Sequence, residues 1–135
     1  MKRAVLDASA LMAFYEDRPG ADRVEELIRE AMEGKRALWM SVVNWGEVFY
    51  SVWRAKGQEA AERVIEEIAQ LPIDVVDADI ELTRLAAELR ATHKLPYADC
   101  FAASLAKQRK AELATADRDF AMVQGELRIL WTTGA

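Results

Sequence analysis

Short apolar runs alternate along the chain with longer segments in which apolar residues recur every three to four positions. The runs predict β-strands at residues 3–6, 37–40, 73–76, 112–115 and 127–131. The longer segments predict helices at residues 8–15, 21–33, 42–55, 58–70, 97–107 and 119–124, with a further helix that begins at Asp77 or Asp79 and reaches His93. Strands that alternate with helices indicate an α/β fold with a parallel sheet covered on both faces.

The pattern continues without a linker, an internal repeat or a low-complexity segment, so we treat residues 1–135 as one domain. Within it, residues 42–70 form two successive helices, which we describe as a helical arm. The apolar fraction of 52% supports an ordered core. No run of about 18 uncharged apolar residues occurs, and we therefore expect no membrane span.

The chain has a net charge of -5, one cysteine and one histidine. An acidic chain needs a local basic patch or a bound metal before it binds nucleic acid. Cys100 has no cysteine partner for an intramolecular disulfide, which suits the reducing cytoplasm where we expect the protein. There is no cysteine–histidine zinc pattern, and the lone His93 excludes ribonuclease chemistry that uses two histidines of one chain.

Four carboxylates lie either directly after a predicted strand or in the first turns of a predicted helix. Asp7 and Asp117 follow the first and fourth strands, while Glu47 and Asp99 lie in the first turns of two helices. A helix that follows a strand starts at the carboxyl edge of the sheet, so we expect all four side chains to meet there. Two carboxylates about 5 Å apart repel by roughly 3 kcal/mol at an effective dielectric constant near 20. A divalent cation is the natural compensation, and oxygen ligands favour Mg²⁺ or Mn²⁺ over zinc.

Such a cation can align a phosphodiester, lower the pKa of an attacking water and stabilise charge on the leaving oxygen. The acids therefore indicate a hydrolytic nuclease that needs neither histidine nor a covalent intermediate. Because water attacks phosphorus directly in this chemistry, the products should carry 5′-phosphate and 3′-hydroxyl ends.

The order of these motifs resembles the PIN-domain family, and within it the small VapC-type toxins of prokaryotic toxin–antitoxin pairs. The resemblance extends over essentially the whole chain. Its motifs are Asp7 with Ser9, Asn44-x-x-Glu47, the segment 95–106 that contains Asp99, and Thr115-Ala116-Asp117-Arg118-Asp119-Phe120. Cys100 departs from the pattern, because a small residue such as alanine is common at that place.

The resemblance implies a five-stranded parallel sheet of order 3-2-1-4-5 and a Mg²⁺- or Mn²⁺-dependent endoribonuclease toxin. The catalytic and metal-site positions of the family match Asp7, Glu47, Asp99 and Asp117. Supporting positions match Ser9, Asn44, Thr115 and Asp119. The implied partners are RNA, a second copy in a homodimer, and a cognate antitoxin held in an apolar groove, whose basic side chain neutralises the acidic site.

Each acid also has a purely structural explanation. Asn44 and Glu47 have the spacing of a capping box, and Asp7, Asp99 and Asp117 all stand where a helix begins. We expect Asp119 to cap a helix or to be solvated rather than to bind the cation. Four independent caps at these four positions would be a coincidence, and we therefore favour the metal site.

Two surface features point to partners. The aromatic stripe of Trp45, Phe49 and Trp53 exceeds what one face of a small sheet needs, so we expect part of it to line a partner groove. Among the cations, we single out only Arg118, which adjoins Asp117, for contact with RNA. The full set of candidates is Arg54, Lys56, Arg90, Lys94, Lys107 and Arg118.

Three other functions remain open at this point. A PIN nuclease of RNA maturation or decay would have no antitoxin gene beside its own. A non-catalytic dimeric interaction module would keep the fold but has little reason to retain the acids. A phosphatase with a strand-end aspartate nucleophile usually has a second acid two residues later, where this chain has Ser9.

Overall fold

Five parallel strands form one sheet of order β3-β2-β1-β4-β5 in the computed structural model, which describes residues 1–134. The strands are β1 (Lys2–Leu6), β2 (Arg36–Ser41), β3 (Asp74–Val76), β4 (Glu112–Thr115) and β5 (Ile129–Trp131). The helices are α1 (Ala8–Tyr15), α2 (Ala21–Met32), α3 (Val42–Lys56), α4 (Gln58–Ala69), α5 (Ile80–Thr92) and α6 (Tyr97–Arg109), with a 3₁₀ helix (Arg118–Val123) after β4. Over this part of the chain, no helix is both long and apolar enough to cross a membrane.

The predicted α/β class, the parallel sheet and its strand order are confirmed. Most predicted element ends are displaced by one or two residues. The predicted helix at residues 119–124 is a 3₁₀ helix of six residues, a tighter helix that usually occurs in short segments. The last strand begins at Ile129 rather than at residue 127, because the backbone is still in a turn where Glu126 N donates to Val123 O (2.9 Å).

Alternate side chains of β1 enter two different hydrophobic cores. Ala4 and Leu6 are fully buried with residues of α1, α2, α3 and α4. Val5 is equally buried on the opposite face, with residues of α5 and α6. Both faces of the sheet are therefore covered, as a parallel sheet requires.

The α3–α4 hairpin follows β2 directly. Ser41 ends the strand and caps α3, since its Oγ accepts a hydrogen bond from Val43 N (3.2 Å). Gly57 separates the two helices at a φ of 96°, a left-handed conformation that favours glycine. The two helices pack along each other over the region predicted as a helical arm.

A buried arginine holds the amino edge of the sheet together. Arg36, only 4% exposed, begins β2. Its guanidinium pairs with Glu30 of α2 (3.1 Å) and with Glu112 of β4 (3.4 Å). Both carboxylates are thus committed to a structural ion pair.

Candidate metal centre

The acids gather where the two central strands of the sheet end. In the β1–β4 pair, Leu6 lies opposite Ala114, so Asp7 and the segment 115–117 leave the sheet at the same edge. β1 continues into α1, whereas β4 continues into the 3₁₀ helix. An open α/β sheet forms a ligand-binding crevice where the connections of neighbouring strands diverge in this way.

Asp7 is a buried carboxylate, 2% exposed, whose oxygens are already engaged. Its Oδ1 accepts hydrogen bonds from Ala10 N and from Ser9 Oγ, both at 2.8 Å. Its Oδ2 accepts a hydrogen bond from Thr115 Oγ1 at 2.5 Å. Asp7 therefore does cap α1, and the same set of contacts ties it to β4.

Two hydroxyl groups connect the ends of β1 and β4. Thr115 Oγ1 donates to Asp7 and accepts a hydrogen bond from Asp117 N (2.9 Å). Ser9 Oγ accepts a hydrogen bond from Ala116 N (3.3 Å) while it donates to Asp7. The position of Asp117 relative to Asp7 is thus set by Ser9 and Thr115.

Three aspartates bring their carboxylates together above this edge. Asp99, Asp117 and Asp119 each offer an oxygen, and these oxygens lie within 4.8 Å of one another. Asp117 caps the 3₁₀ helix by accepting from Asp119 N (2.9 Å), and this tight turn brings the two carboxylates close together. In the described residues 1–134, this is the one group of three or more acidic, histidine or cysteine side chains that can share an ion.

Glu47 is held in place by a buried amide. Asn44 Nδ2 donates to Glu47 Oε1 (2.8 Å) and to the carbonyl oxygen of Ala98 (3.1 Å), the residue before Asp99. Asn44 is fully buried, and its Oδ1 has no hydrogen-bond partner in the described structure. One side chain of α3 therefore fixes Glu47 and contacts the first turn of α6, which carries Asp99.

The pKa values of two acids report the electrostatics of the site. Burial raises the pKa of Asp7 from 3.8 to about 6, against the opposing effect of its hydrogen bonds. Burial also raises the pKa of Asp99 from 3.8 to about 7, and the negative charges of Asp117, Glu47, Asp7 and Asp119 raise it further. Four acids are therefore close enough to Asp99 to affect its pKa.

This donor set fits a hard divalent cation. Mg²⁺ binds oxygen ligands at about 2.1 Å, so oxygens on opposite sides of the ion are about 4 Å apart. The carboxylate oxygens of Asp99, Asp117 and Asp119 lie within 4.8 Å of one another, which is close to that spacing. A cation would also relieve the repulsion that raises the pKa of Asp99.

The predicted site residues fall into two sets, those that can share an ion and those beside them. Asp99 and Asp117 lie in the group that can share an ion, whereas Asp7 and Glu47 lie outside it and act on Asp99 through their charge. Asp119, which the sequence favoured as a cap or a solvated acid, joins the group, and the cap is Asp117. In the sequence, the sign that Asp119 belongs with Asp117 is the Asp-x-Asp spacing directly after an apolar run.

The capping-box explanation for Asn44 and Glu47 is wrong. The residue that caps α3 is Ser41, so both lie inside the helix rather than at its start. Asn44 also contacts Ala98, which is 54 positions away in the chain. The amide therefore serves the contact between two helices.

Arg118 points away from the acids. Its guanidinium lies 4.3 Å from the ring centroid of Trp131 and donates to the carbonyl oxygens of Thr133 (3.5 Å) and Gly134 (2.9 Å). The side chain therefore attaches the turn between Asp117 and Asp119 to the segment after β5.

Comparison with known proteins gives a family and a set of similar structures. The model of the PIN domain family matches residues 4–126. VapBC-1 from nontypeable Haemophilus influenzae is 19% identical, with a TM-score of 0.74 over 98% of this chain and 99% of that one. VapBC2 from Rickettsia felis, bound to a DNA fragment from its promoter, is 18% identical, with a TM-score of 0.74 over 95% and 97%.

A third similar structure is that of a toxin. VapC20 from Mycobacterium tuberculosis, a toxin that cleaves the sarcin–ricin loop, is 15% identical, with a TM-score of 0.70 over 89% of this chain and 94% of that one. No curated protein sequence matches the chain. At these identities the solved structures establish a shared fold.

Proposed function

We propose that this chain, which belongs to the PIN domain family, is a Mg²⁺- or Mn²⁺-dependent endoribonuclease. We propose further that it is the toxin of a VapBC-type toxin–antitoxin pair. The observation that carries the proposal is the group formed by Asp99, Asp117 and Asp119 at the carboxyl edge of the sheet. The fold shared with VapC20, a toxin that cleaves the sarcin–ricin loop, supports RNA as the substrate class that we propose for this chain.

In this proposal the three clustered aspartates hold the cation, and Asp7 and Glu47 complete the negative site. The cation, when bound, supplies charge neutralisation at a phosphodiester and lowers the pKa of a water molecule. Ser9 and Thr115 hold the carboxylate of Asp7, and Thr115 also holds the backbone of Asp117. Asn44 limits the movement of Glu47, so that its second carboxylate oxygen is available to orient a water molecule.

In the proposed mechanism, Asp99 also makes cation binding dependent on pH. Its pKa of about 7 means that it carries a proton for part of the time at neutral pH in the metal-free protein. The carboxylate binds a cation only after that proton leaves, so proton and cation compete for the same oxygens. The site is therefore most ready for catalysis above neutral pH.

The proposed protein partners are an antitoxin and a second copy of the chain. Exposed aromatic side chains of α3, Tyr50 (49%) and Trp53 (44%), support a contact with an apolar antitoxin segment. Exposed apolar side chains before and within α5, Val75 (39%), Ile80 (88%) and Leu85 (37%), support a contact with a second copy. We place both assemblies in the cytoplasm, with RNA as the target.

An RNA cleavage assay tests the proposed function. Purified protein free of any partner is incubated with total cellular RNA in Mg²⁺, in Mn²⁺ and in EDTA. We expect discrete fragments with 5′-phosphate ends only in the presence of the metals, and their loss in Asp99→Asn. The matched control is Asp74→Asn, which removes an exposed carboxylate of β3 outside the acid group. Fragments that persist in EDTA or in Asp99→Asn would contradict the proposal.

A further inference from the structure

The amino edge of the sheet, opposite the acids, carries two adjoining grooves lined by cations. The first groove, of about 550 Å³, runs between β1, β2 and the end of α6 and contains Arg3, Trp39, Arg109 and Lys110. The second, of about 400 Å³, shares Lys110 and extends to Arg128, just before β5. We call Arg3, Arg109, Lys110 and Arg128 the basal cations.

The positive charge of the basal cations is not compensated locally. Within residues 1–134, none of the four forms an ion pair with a carboxylate. The first groove has no acidic residue in its lining. Glu126 lines the second groove but pairs with Lys107 and His93, and Glu112 of β4 pairs with Arg36. In a chain of net charge -5, this is a local concentration of positive charge.

Two of these side chains are held in position. Arg3 Nη1 donates to the carbonyl oxygen of Arg109 (3.2 Å). The guanidinium of Arg109 lies 5.2 Å from the ring centroid of Trp39, a cation–π distance. A partly ordered arginine loses less conformational freedom when it binds an anion than a mobile one does. The first groove therefore offers several N–H donors around a partly exposed indole.

We infer that the basal cations bind the phosphate backbone of an RNA at a distance from the cleavage site. The inference rests on the proposed function, which makes RNA the substrate. Guanidinium and ammonium groups that form no ion pair within the protein are available for contacts with phosphates. The carboxyl edge carries five acids and repels RNA in the absence of a cation, so an attractive contact elsewhere on the molecule favours binding.

The separation of the two edges sets the kind of RNA that fits. The five residues of β1 span about 17 Å at about 3.3 Å per residue. An RNA must therefore be folded, or longer than a few nucleotides, to contact both edges at once. The basal cations favour such an RNA over a short single strand.

Salt-dependent binding tests the inference. The probe is a fluorescently labelled RNA hairpin with single-stranded arms, bound in EDTA so that the acid group holds no metal and the RNA stays intact. The test variant is Arg109→Gln with Lys110→Asn. The matched control is Arg63→Gln with Arg84→Gln, which removes the same charge from exposed positions of α4 and α5 that are neither basal cations nor candidate RNA contacts. Asparagine suits position 110, because Lys110 has a left-handed φ of 52° that asparagine tolerates.

We expect the slope of log affinity against log salt to become shallower by about 1.4 in the test variant, at about 0.7 per lost phosphate contact. The control pair should keep the parent slope. Arg128→Gln, a single change at an exposed side chain, keeps the inference testable if the double variant folds poorly, and it should lower the slope by about 0.7.

Two outcomes would overturn the inference. The first is that both basal variants bind the hairpin with the parent slope. The second is that they lose only concentration-dependent self-association, which would assign the edge to a contact between copies of the chain. Cleavage by the acid group is a separate readout. If RNA binding changes as expected but no cleavage occurs in any metal, the proposed function fails while the basal contact stands.

Discussion

Asp7 and Asp99 carry negative charge in surroundings that oppose it, for partly different reasons. Asp7 is buried and has a pKa of about 6, which its hydrogen bonds keep from rising further. Asp99 is less buried, but the charges of four neighbouring acids help to raise its pKa to about 7. Both residues reduce the stability of the metal-free fold at neutral pH, a cost that a site for a cation tolerates.

The variant Asp7→Asn should separate function from folding. Asparagine keeps an oxygen that accepts from Ala10 N, so α1 remains capped, while the buried negative charge is lost. We expect cleavage to fall by about 10- to 100-fold, as when a group that supports metal ligands is removed. The unfolding free energy of the metal-free protein should rise by about 1–3 kcal/mol at about pH 8, measured by urea denaturation.

Measuring the stability of Asp7→Asn at low pH provides the control. At about pH 3, below its ordinary pKa, the carboxyl group of Asp7 is protonated in both the folded and the unfolded protein, so the stability gain should vanish. A gain that persists at low pH would show that the substitution acts through packing. Cleavage at the parent rate would contradict the role given to Asp7.

Stability of the metal-free protein should depend on pH in a defined direction. The folded-state pKa values of Asp7 and Asp99, about 6 and about 7, lie above the ordinary value of 3.8, so the folded state binds these protons more tightly than the unfolded state does. Their contribution to the unfolding free energy is therefore fully present below about pH 4 and is lost as the pH rises to about 7. Denaturation of the parent and of Asp7→Asn with Asp99→Asn across this range measures the contribution as a difference. A constant difference would contradict the pKa shifts.

At the scale of elements, α3 and α6 are joined beside the acid group by a single amide. Asn44 bonds both the carboxylate of Glu47 and the first turn of α6. The distance between Glu47 and Asp99 thus depends on how these two helices pack. In the proposed mechanism, a change at Asn44 therefore affects the acid Glu47 as well as the packing of the two helices.

The variant Asn44→Leu should therefore lower activity more than its effect on stability explains. Loss of both hydrogen bonds should cost about 1–3 kcal/mol of unfolding free energy and should reduce cleavage by about 10-fold, because Glu47 loses its support. The matched control is Val48→Ala, which destabilises the core on the same helix and removes no hydrogen bond to an acid. If both variants lose activity only in proportion to their loss of stability, Asn44 contributes to folding and not to catalysis.

The elements also show what a sequence can predict and what it cannot. Asp7 and Asp117 were placed correctly at one edge, because each directly follows a short apolar run and parallel strands end together. Asp119 is exposed, as predicted for a solvated acid, and the sequence did not indicate that its carboxylate lies beside those of Asp99 and Asp117, because Asp99 is distant in the chain. The contact between Asn44 and Ala98 joins positions 54 residues apart, and no local periodicity reports it.

The whole molecule separates its charges along the strand direction. Five acids lie at the carboxyl edge, and the basal cations lie at the amino edge. The sequence did not single out the basal cations, because Arg3 and Arg109 are distant in the chain and meet only when β1 pairs with β4. The net charge therefore does not report the local positive charge at the amino edge, where we propose that RNA binds.

Antitoxin binding gives a prediction at this scale. The protein encoded beside this chain's gene should form a complex that Trp53→Ser weakens by at least about tenfold, since exposed aromatic side chains often dominate interfaces. Met32→Ser is the control, because Met32 is an exposed apolar side chain at the end of α2. Calorimetric titration measures both affinities. Equal losses, or no complex at all, would contradict the antitoxin groove.

The central claim is that the acids at the carboxyl edge hold a divalent cation. Calorimetric titration of Mn²⁺ into the metal-free protein, near pH 7 and in buffers of different ionisation heat, tests it most directly. We predict saturable binding with release of part of a proton, since Asp99 is partly protonated there, and loss of this binding in Asp99→Asn but not in Asp74→Asn. If the parent protein does not bind Mn²⁺, or if Asp99→Asn binds it with the parent affinity, the acid group is not a metal site.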